Sequence, residues 1–309
     1  MNGEKRSKEI EREKEGIDIM KMEYKLLGFD LDGTILTGEK KLTARTKRAL
    51  EEAIAQGMIV LPATGRPFSG IPKEIMEVKG IRYALTSNGA RIVDAKDGTI
   101  VYEKPVPKEI TEKILDIYDK YDTLQEIYFQ GVGYISEHDL KRVDQMMESP
   151  AMAEYVRSTR KVVKNIRETA RQLPGGVDKV HAIFADQNEK MCALRELEQM
   201  GQVTVTRALS NNIEVNAEGV DKGKGMLKLA ELLGIRREEM IVFGDGWNDI
   251  SMIHEAGCGV AMGNAQEVVK EAADLVTDSN EEDGVAKIIE KILQKGYCLL
   301  YTSDAADEL

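Results

Sequence analysis

Hydrophobic residues fall along this chain in three successive rhythms. Near the start, short unbroken apolar runs at 26–29, 58–63 and 83–86 alternate with segments of helical spacing at 44–56 and 72–78. Runs of that length bounded by turn formers read as buried strands. The 44–56 segment opens on Leu42-Thr43 and closes on Gly57, as a capped helix does. Strand-helix alternation predicts a parallel sheet with right-handed crossovers, Tyr83 to Thr86 being its third strand. From 91 the rhythm changes. Residues 91–94 and 99–103 flank Asp97-Gly98, a hairpin signal. Segments 125–129, 132–136, 177–185, 203–208 and 212–216 alternate as half-buried strands, with helices at 107–121, 139–147 and 189–200. Ile110, Ile114, Leu115 and Tyr118 share one side of the 107–121 helix. Past Lys222 the first rhythm returns, with a helix at 225–233, a strand entering 240–245, a helix at 250–255 and a strand at 258–262. Segments 266–271, 275–277 and 285–293 complete it. The expected fold is α/β: a core of 22–90 and 218–297 built on a doubly wound parallel sheet, interrupted by an inserted α+β domain at 91–217.

Length and composition narrow this reading without redirecting it. A chain of 309 residues suits about two domains, and 31% charged with 42% hydrophobic residues describes an ordinary globular protein. The net charge of −11 argues against nucleic acid or an anionic membrane as partner. No apolar run reaches membrane-spanning length and no secretory signal is present. Cys192, Cys258 and Cys298 lack disulfide or metal-ligand spacing, which fits a reducing cytoplasm. Residues 1–21 are rich in Glu, Lys and Arg with almost nothing to bury, and are expected to be a disordered extension or to precede the true start at Met20 or Met22. At the other end, 298–308 reads like a translated sequencing adapter, so 298–309 is expected to be a non-native tail.

The chemistry collects at strand tips. The 26–29 run ends in Asp30 and Asp32, with Gly33 permitting a sharp turn. Far downstream a second apolar strand ends in Gly244-Asp245-Gly246-Trp247-Asn248-Asp249. Ligands bind beyond the carboxyl ends of parallel strands, and two acidic tips there suit a divalent, oxygen-ligated cation.

With both stretches in view, the chain resembles a haloacid-dehalogenase-superfamily (HAD) phosphatase of the Cof type, close to the bacterial sugar phosphatases. Asp30-Leu-Asp-Gly-Thr is similar to motif I, Ala63-Thr64-Gly65-Arg66-Pro67 to motif II, with Ser87-Asn88-Gly89-Ala90 following. Gly219-Val220-Asp221-Lys222-Gly223 carries the motif III lysine, and Gly244 to Asp249 is motif IV, trailed by Gly259 to Ala265. Five such motifs in family order are hard to obtain by chance. The resemblance implies a Rossmann-like HAD core with a larger, C2B-type cap inserted at 91–217.

It also implies roles. Asp30 would be the nucleophile, forming an aspartyl-phosphate, and Asp32 the acid that protonates the leaving alkoxide and then deprotonates water. Mg²⁺ would be held by Asp30, the backbone carbonyl of Asp32, and Asp245. The Thr64 hydroxyl, the Gly65 amide and the Lys222 ammonium would grip the phosphate. Asn248 and Asp249 would support this set, Asp249 by anchoring Lys222; a helix N-cap is the alternative, and the two are compatible. Arg66 and Asn88 are open between substrate contact and loop anchoring. His138, His181 and His254 have no catalytic spacing and read as structural or surface residues, and the basic run 157–171 as a solvated helix face. Trp247 replaces the polar residue the family commonly has before Asn-Asp, which bears on the leaving-group pocket.

The implied function is a Mg²⁺-dependent phosphatase acting on a small phosphorylated metabolite, with a sugar phosphate as the expected substrate. A phosphomutase or phosphotransferase on the same nucleophile, or a binding or regulatory protein on the same fold, are the competing readings. Neither substrate identity nor oligomeric state is readable from residue identities.

Overall fold

A computed structural model of the protein describes residues 23–303. It divides into two compact units. One takes the described residues up to Pro62, Glu74–Arg82 and the chain from Ala230 onward; the other takes Ala63–Lys73 and Tyr83–Leu229.

The first unit is built on five parallel strands, in spatial order Leu275–Val276, Cys258–Ala261, Met240–Gly244, Leu26–Phe29 and Ile59–Pro62. The strand Leu26–Phe29, paired on both sides, is buried throughout, as an unbroken apolar run must be when both faces are covered. Its register against Met240–Gly244 pairs Phe29 with Phe243, so the two chains leave the sheet side by side. Helix Ala44–Ala55 begins at Thr43, whose hydroxyl accepts the Thr46 amide. Arg45 forks onto Glu290 of helix Gly284–Ser303 at 2.9 and 2.7 Å, tying these two helices together.

The second unit holds a six-stranded sheet in the order Val203–Thr206, Asn212–Ala217, Lys179–Phe184, Thr123–Phe129, Val132–Ser136 and Arg160–Val163. All neighbours are antiparallel except the last pair. Helices Lys108–Tyr118, Ile166–Gln172 and Gln187–Met200 bury Ile114, Leu115, Ile166, Ala193 and Leu197 against Val180, Ala182, Phe184 and Val215. The opposite side chains of the same strands include Glu126, Lys179, His181 and Glu214, all buried.

Three expectations change. Tyr83–Thr86 is not a full member of the parallel sheet. It heads a separate antiparallel sheet with Arg91–Asp94 and Ile100–Glu103, and meets the chain after Pro62 at the isolated Ala63–Leu85 bridge. The basic run 157–171 is not one solvated helix face but the end of helix Pro150–Thr159, the strand Arg160–Val163 and helix Ile166–Gln172. Arg160 is buried because Glu126, 34 residues earlier, supplies a counter-charge at 2.9 Å. The 139–147 helix is two short ones, Glu137–Leu140 and Val143–Met146. The expected extension at 1–21 lies outside the described residues. Part of the 298–309 tail does too, although helix Gly284–Ser303 carries the backbone into it.

Candidate active site

Adjacent parallel strands deliver the acidic groups of the first unit to one place. The Asp30 amide donates to the Phe243 carbonyl at 3.0 Å, so Asp30 leaves the sheet beside Gly244-Asp245. Carboxylate oxygens of Asp30, Asp245 and Asp249 all lie within 4.8 Å of one another. Gly33 closes over them with φ of +81°, and a Cβ there would fall 2.3 Å from Asp245 Oδ2. Only glycine satisfies both the left-handed backbone and that approach.

The three carboxylates are not equivalent. Asp245 Oδ1 accepts the Thr34 hydroxyl at 2.8 Å, which orients it. Asp249 is fully buried, and its Oδ2 accepts the amides of Asp245 and Gly246, both at 2.9 Å. It therefore braces the loop behind Asp245. The helix Ile250–Glu255 receives no side-chain cap from it. Asn248 folds its side-chain oxygen over Gly246, 2.8 Å from where a Cβ would stand. Asp32 takes a different neighbour: its Oδ1 accepts from Lys40 Nζ at 2.7 Å. Lys40 reaches it from a turn in which its own φ is +61°, an uncommon conformation for a non-glycine residue. Trp247 is among the exposed large side chains.

A donor set of hard oxygens, with no sulfur or imidazole, and a glycine lid that leaves the carboxylates room together fit a divalent cation.

The second unit gathers the other expected residues. Thr64 is buried, its hydroxyl oxygen accepting the Arg66 amide at 3.1 Å, which leaves the hydroxyl proton to donate elsewhere. The turn is laced to the one at 87–89: the Ser87 amide donates to Arg66 O and the Asn88 amide to Thr64 O, both at 3.0 Å. Arg66 donates to Gly70 O at 2.9 Å and stacks over the Tyr155 ring at 4.2 Å. Asn88 donates to Glu214 at 2.6 Å. The contacts seen for both are anchoring ones. Lys222 is fully buried as the first residue of helix Lys222–Leu233, whose start is capped by Asp221 Oδ1 on the Lys224 amide at 2.8 Å.

The profile of the haloacid dehalogenase-like hydrolases matches residues 27–289. The chain belongs to this family. Among curated proteins, this HAD chain is 31% identical over 277 residues to a Bacillus subtilis (strain 168) 5-amino-6-(5-phospho-D-ribitylamino)uracil phosphatase, covering 90% of this chain and 97% of that one. It is 28% identical to the Escherichia coli (strain K12) pyridoxal phosphate phosphatase, over 87% and 98% of the two chains. Among solved structures, a HAD subclass IIB sugar phosphatase superposes with a TM-score of 0.73 at 28% identity, covering 86% and 98%. A haloacid dehalogenase-like hydrolase from B. subtilis reaches 0.78 at 27%, covering 86% and 99%. The chain is a phosphatase of the Cof type within the HAD hydrolases.

Sequence reasoning passed over Thr34, Lys40 and Asn264, whose side-chain amide donates to Gly33 O at 2.7 Å. Thr34 and Asn264 lie inside quoted motifs, so their signal was present. Lys40 had none, because a lysine in a polar turn is usually solvated. His181 is buried, with its Nδ1 2.9 Å from Glu126. No helix among the described residues is long and apolar enough to cross a membrane.

Proposed function

We propose that this HAD phosphatase is a cytoplasmic, Mg²⁺-dependent enzyme that hydrolyses phosphate monoesters of small metabolites, sugar phosphates among them, through an aspartyl-phosphate on Asp30. The observation that carries the proposal is the convergence of Asp30 and Asp245, braced by Asp249, at the tips of neighbouring parallel strands. Support for the substrate class comes from the relatives, named as phosphatases of a ribitylamino-uracil phosphate, of pyridoxal phosphate and of sugars. These are small phosphate esters of an alcohol.

Asp30, the Asp32 carbonyl and Asp245 would hold the cation. When bound, it offsets the negative charge between the nucleophile and the phosphoryl oxygens. An Asp30 oxygen attacks phosphorus as the bond to the leaving oxygen breaks. Asp32 donates its proton to that oxygen, giving the free alcohol. Water then attacks the phosphorus and gives its proton to Asp32, and the bond to Asp30 breaks to release inorganic phosphate. Thr64, Gly65, Lys222 and Asn248 would bind the transferring group, and the 91–217 segment would select the alcohol.

The test is phosphate release from a panel of metabolite esters, with Mg²⁺ or with chelator, for the wild type and Asp30→Asn. Release should need the cation and no added acceptor, and the Asn variant should lose many orders of magnitude in rate while staying folded. A variant keeping a tenth of the activity would remove Asp30 from the nucleophile role.

A further inference from the structure

The second unit contains a buried ion pair that the reaction above does not use. Lys179 opens the strand Lys179–Phe184, and Glu214 lies in its neighbour Asn212–Ala217. Lys179 Nζ donates to Glu214 Oε1 at 2.6 Å and to the Gly65 carbonyl at 2.7 Å. The other oxygen of Glu214 accepts from Asn88 at 2.6 Å. Asn216, further along the strand, donates to the Ser87 carbonyl at 2.9 Å. Two adjacent strands thus reach both turns that carry Thr64-Gly65 and Ser87-Asn88-Gly89.

Those turns need holding. Ser87, Asn88 and Gly89 have φ of +51°, +58° and +94°, three left-handed residues in a row of which two are not glycine. Such backbone persists only where the surroundings over-determine it. Gly65 packs so closely that a Cβ would lie 2.8 Å from Asn88 Oδ1 and 3.2 Å from Glu214 Oε2. A buried Lys–Glu pair is a weak source of stability, since well-packed apolar residues of like volume do as well or better. Its geometric effect is definite: it fixes the Gly65 carbonyl and the Asn88 side chain relative to each other. Burial pulls the Lys179 ammonium down, with Glu214 opposing; burial pushes Glu214 up, but Lys179 holds its carboxyl below the usual range.

The structure assigns Lys179 and Glu214 a positioning role, in which the pair pins the Gly65 backbone through its carbonyl so that the Thr64 hydroxyl and the Gly65 amide present one fixed geometry to a phosphate. This rests on the phosphate-gripping role proposed above for Thr64 and Gly65. A misplacement of about 1 Å at such a grip costs on the order of 100-fold in rate, whichever alcohol the phosphate carries.

The test compares wild type with Lys179→Met, Glu214→Gln and the double variant, which leaves no lone buried charge. Turnover is measured on p-nitrophenyl phosphate and on a sugar phosphate, and inorganic phosphate binding by calorimetry with Mg²⁺. The expected result is a loss of roughly 10- to 100-fold in kcat/KM by the same factor on both esters, with phosphate affinity weakened in parallel. Loss on one ester alone with phosphate affinity unchanged would overturn the inference in favour of direct contact with the alcohol. Folded variants with unchanged turnover and phosphate affinity, or a double variant that cannot fold, would make the pair structural and overturn it too. If the wild type releases phosphate from no ester, the proposed function fails by itself, and the phosphate-binding comparison still decides this inference.

Discussion

The Thr34 hydroxyl donates to Asp245 Oδ1 at 2.8 Å, joining two loops 211 residues apart in the chain. Thr34 is buried, and it turns one candidate ligand toward the cluster without itself being charged. Outer partners of this kind set metal affinity by orienting ligands. Thr34→Val keeps the shape and removes the donor. Mg²⁺ affinity should fall about 10- to 100-fold with little change in melting temperature. Titration calorimetry checks this; an unchanged Kd would show that Asp245 needs no such orientation.

Asp32 and Lys40 pair at 2.7 Å with both side chains more than a third exposed. An exposed pair contributes only about 0–1 kcal/mol, so Asp32→Asn should leave stability nearly intact. Its turnover on alkyl phosphates should drop by roughly 10²- to 10⁴-fold, the range for general acid-base catalysis. The deficit should be smallest on aryl phosphates, whose leaving oxygen needs no proton. Equal losses on both ester types would count against Asp32 as the acid.

Glu126 is fully buried between Arg160 and His181. Burial alone would raise its carboxyl, but the Arg160 charge and the His181 contact hold it far below the ordinary value of 4.5. A carboxylate depressed on folding adds stability that is complete above its unfolded value and is lost as pH falls toward the folded one. Wild-type melting temperature should therefore hold near neutrality and fall progressively as pH drops below about 5. Glu126→Gln should cost about 3–5 kcal/mol at pH 7, because Arg160 is left buried without its partner. Its melting temperature should then vary less across the acid range. Calorimetric scans from pH 3 to 7 on both proteins make the comparison; parallel curves would remove Glu126 from the acid response.

Trp247 is the chain's sole tryptophan, two residues after Asp245 and 39% exposed. Its emission should respond to Mg²⁺ with orthovanadate, and further to a sugar phosphate. If its indole walls the leaving-group pocket, Trp247→Ala should raise KM and spare kcat. Emission blind to saturating ligands would place Trp247 away from the pocket.

What the sequence determined by itself is local. An unbroken apolar run closing on Asp30 and Asp32, and another closing on Asp245, read as strands with acidic tips from their shortness and flanking turn formers, and both are strands. The cap at Thr43 and the hairpin at Asp97-Gly98 were legible for the same reason. Tertiary structure decided what depends on distant partners. Nothing near Arg160 announces that Glu126 will neutralise it, so a strand was hidden inside a basic run. Nothing near Lys179 or Glu214 reveals that they pair with each other and with Gly65 and Asn88. Charged residues on a strand look solvated until the fold supplies opposite charges at hydrogen-bond distance, and those charges come from elsewhere in the chain.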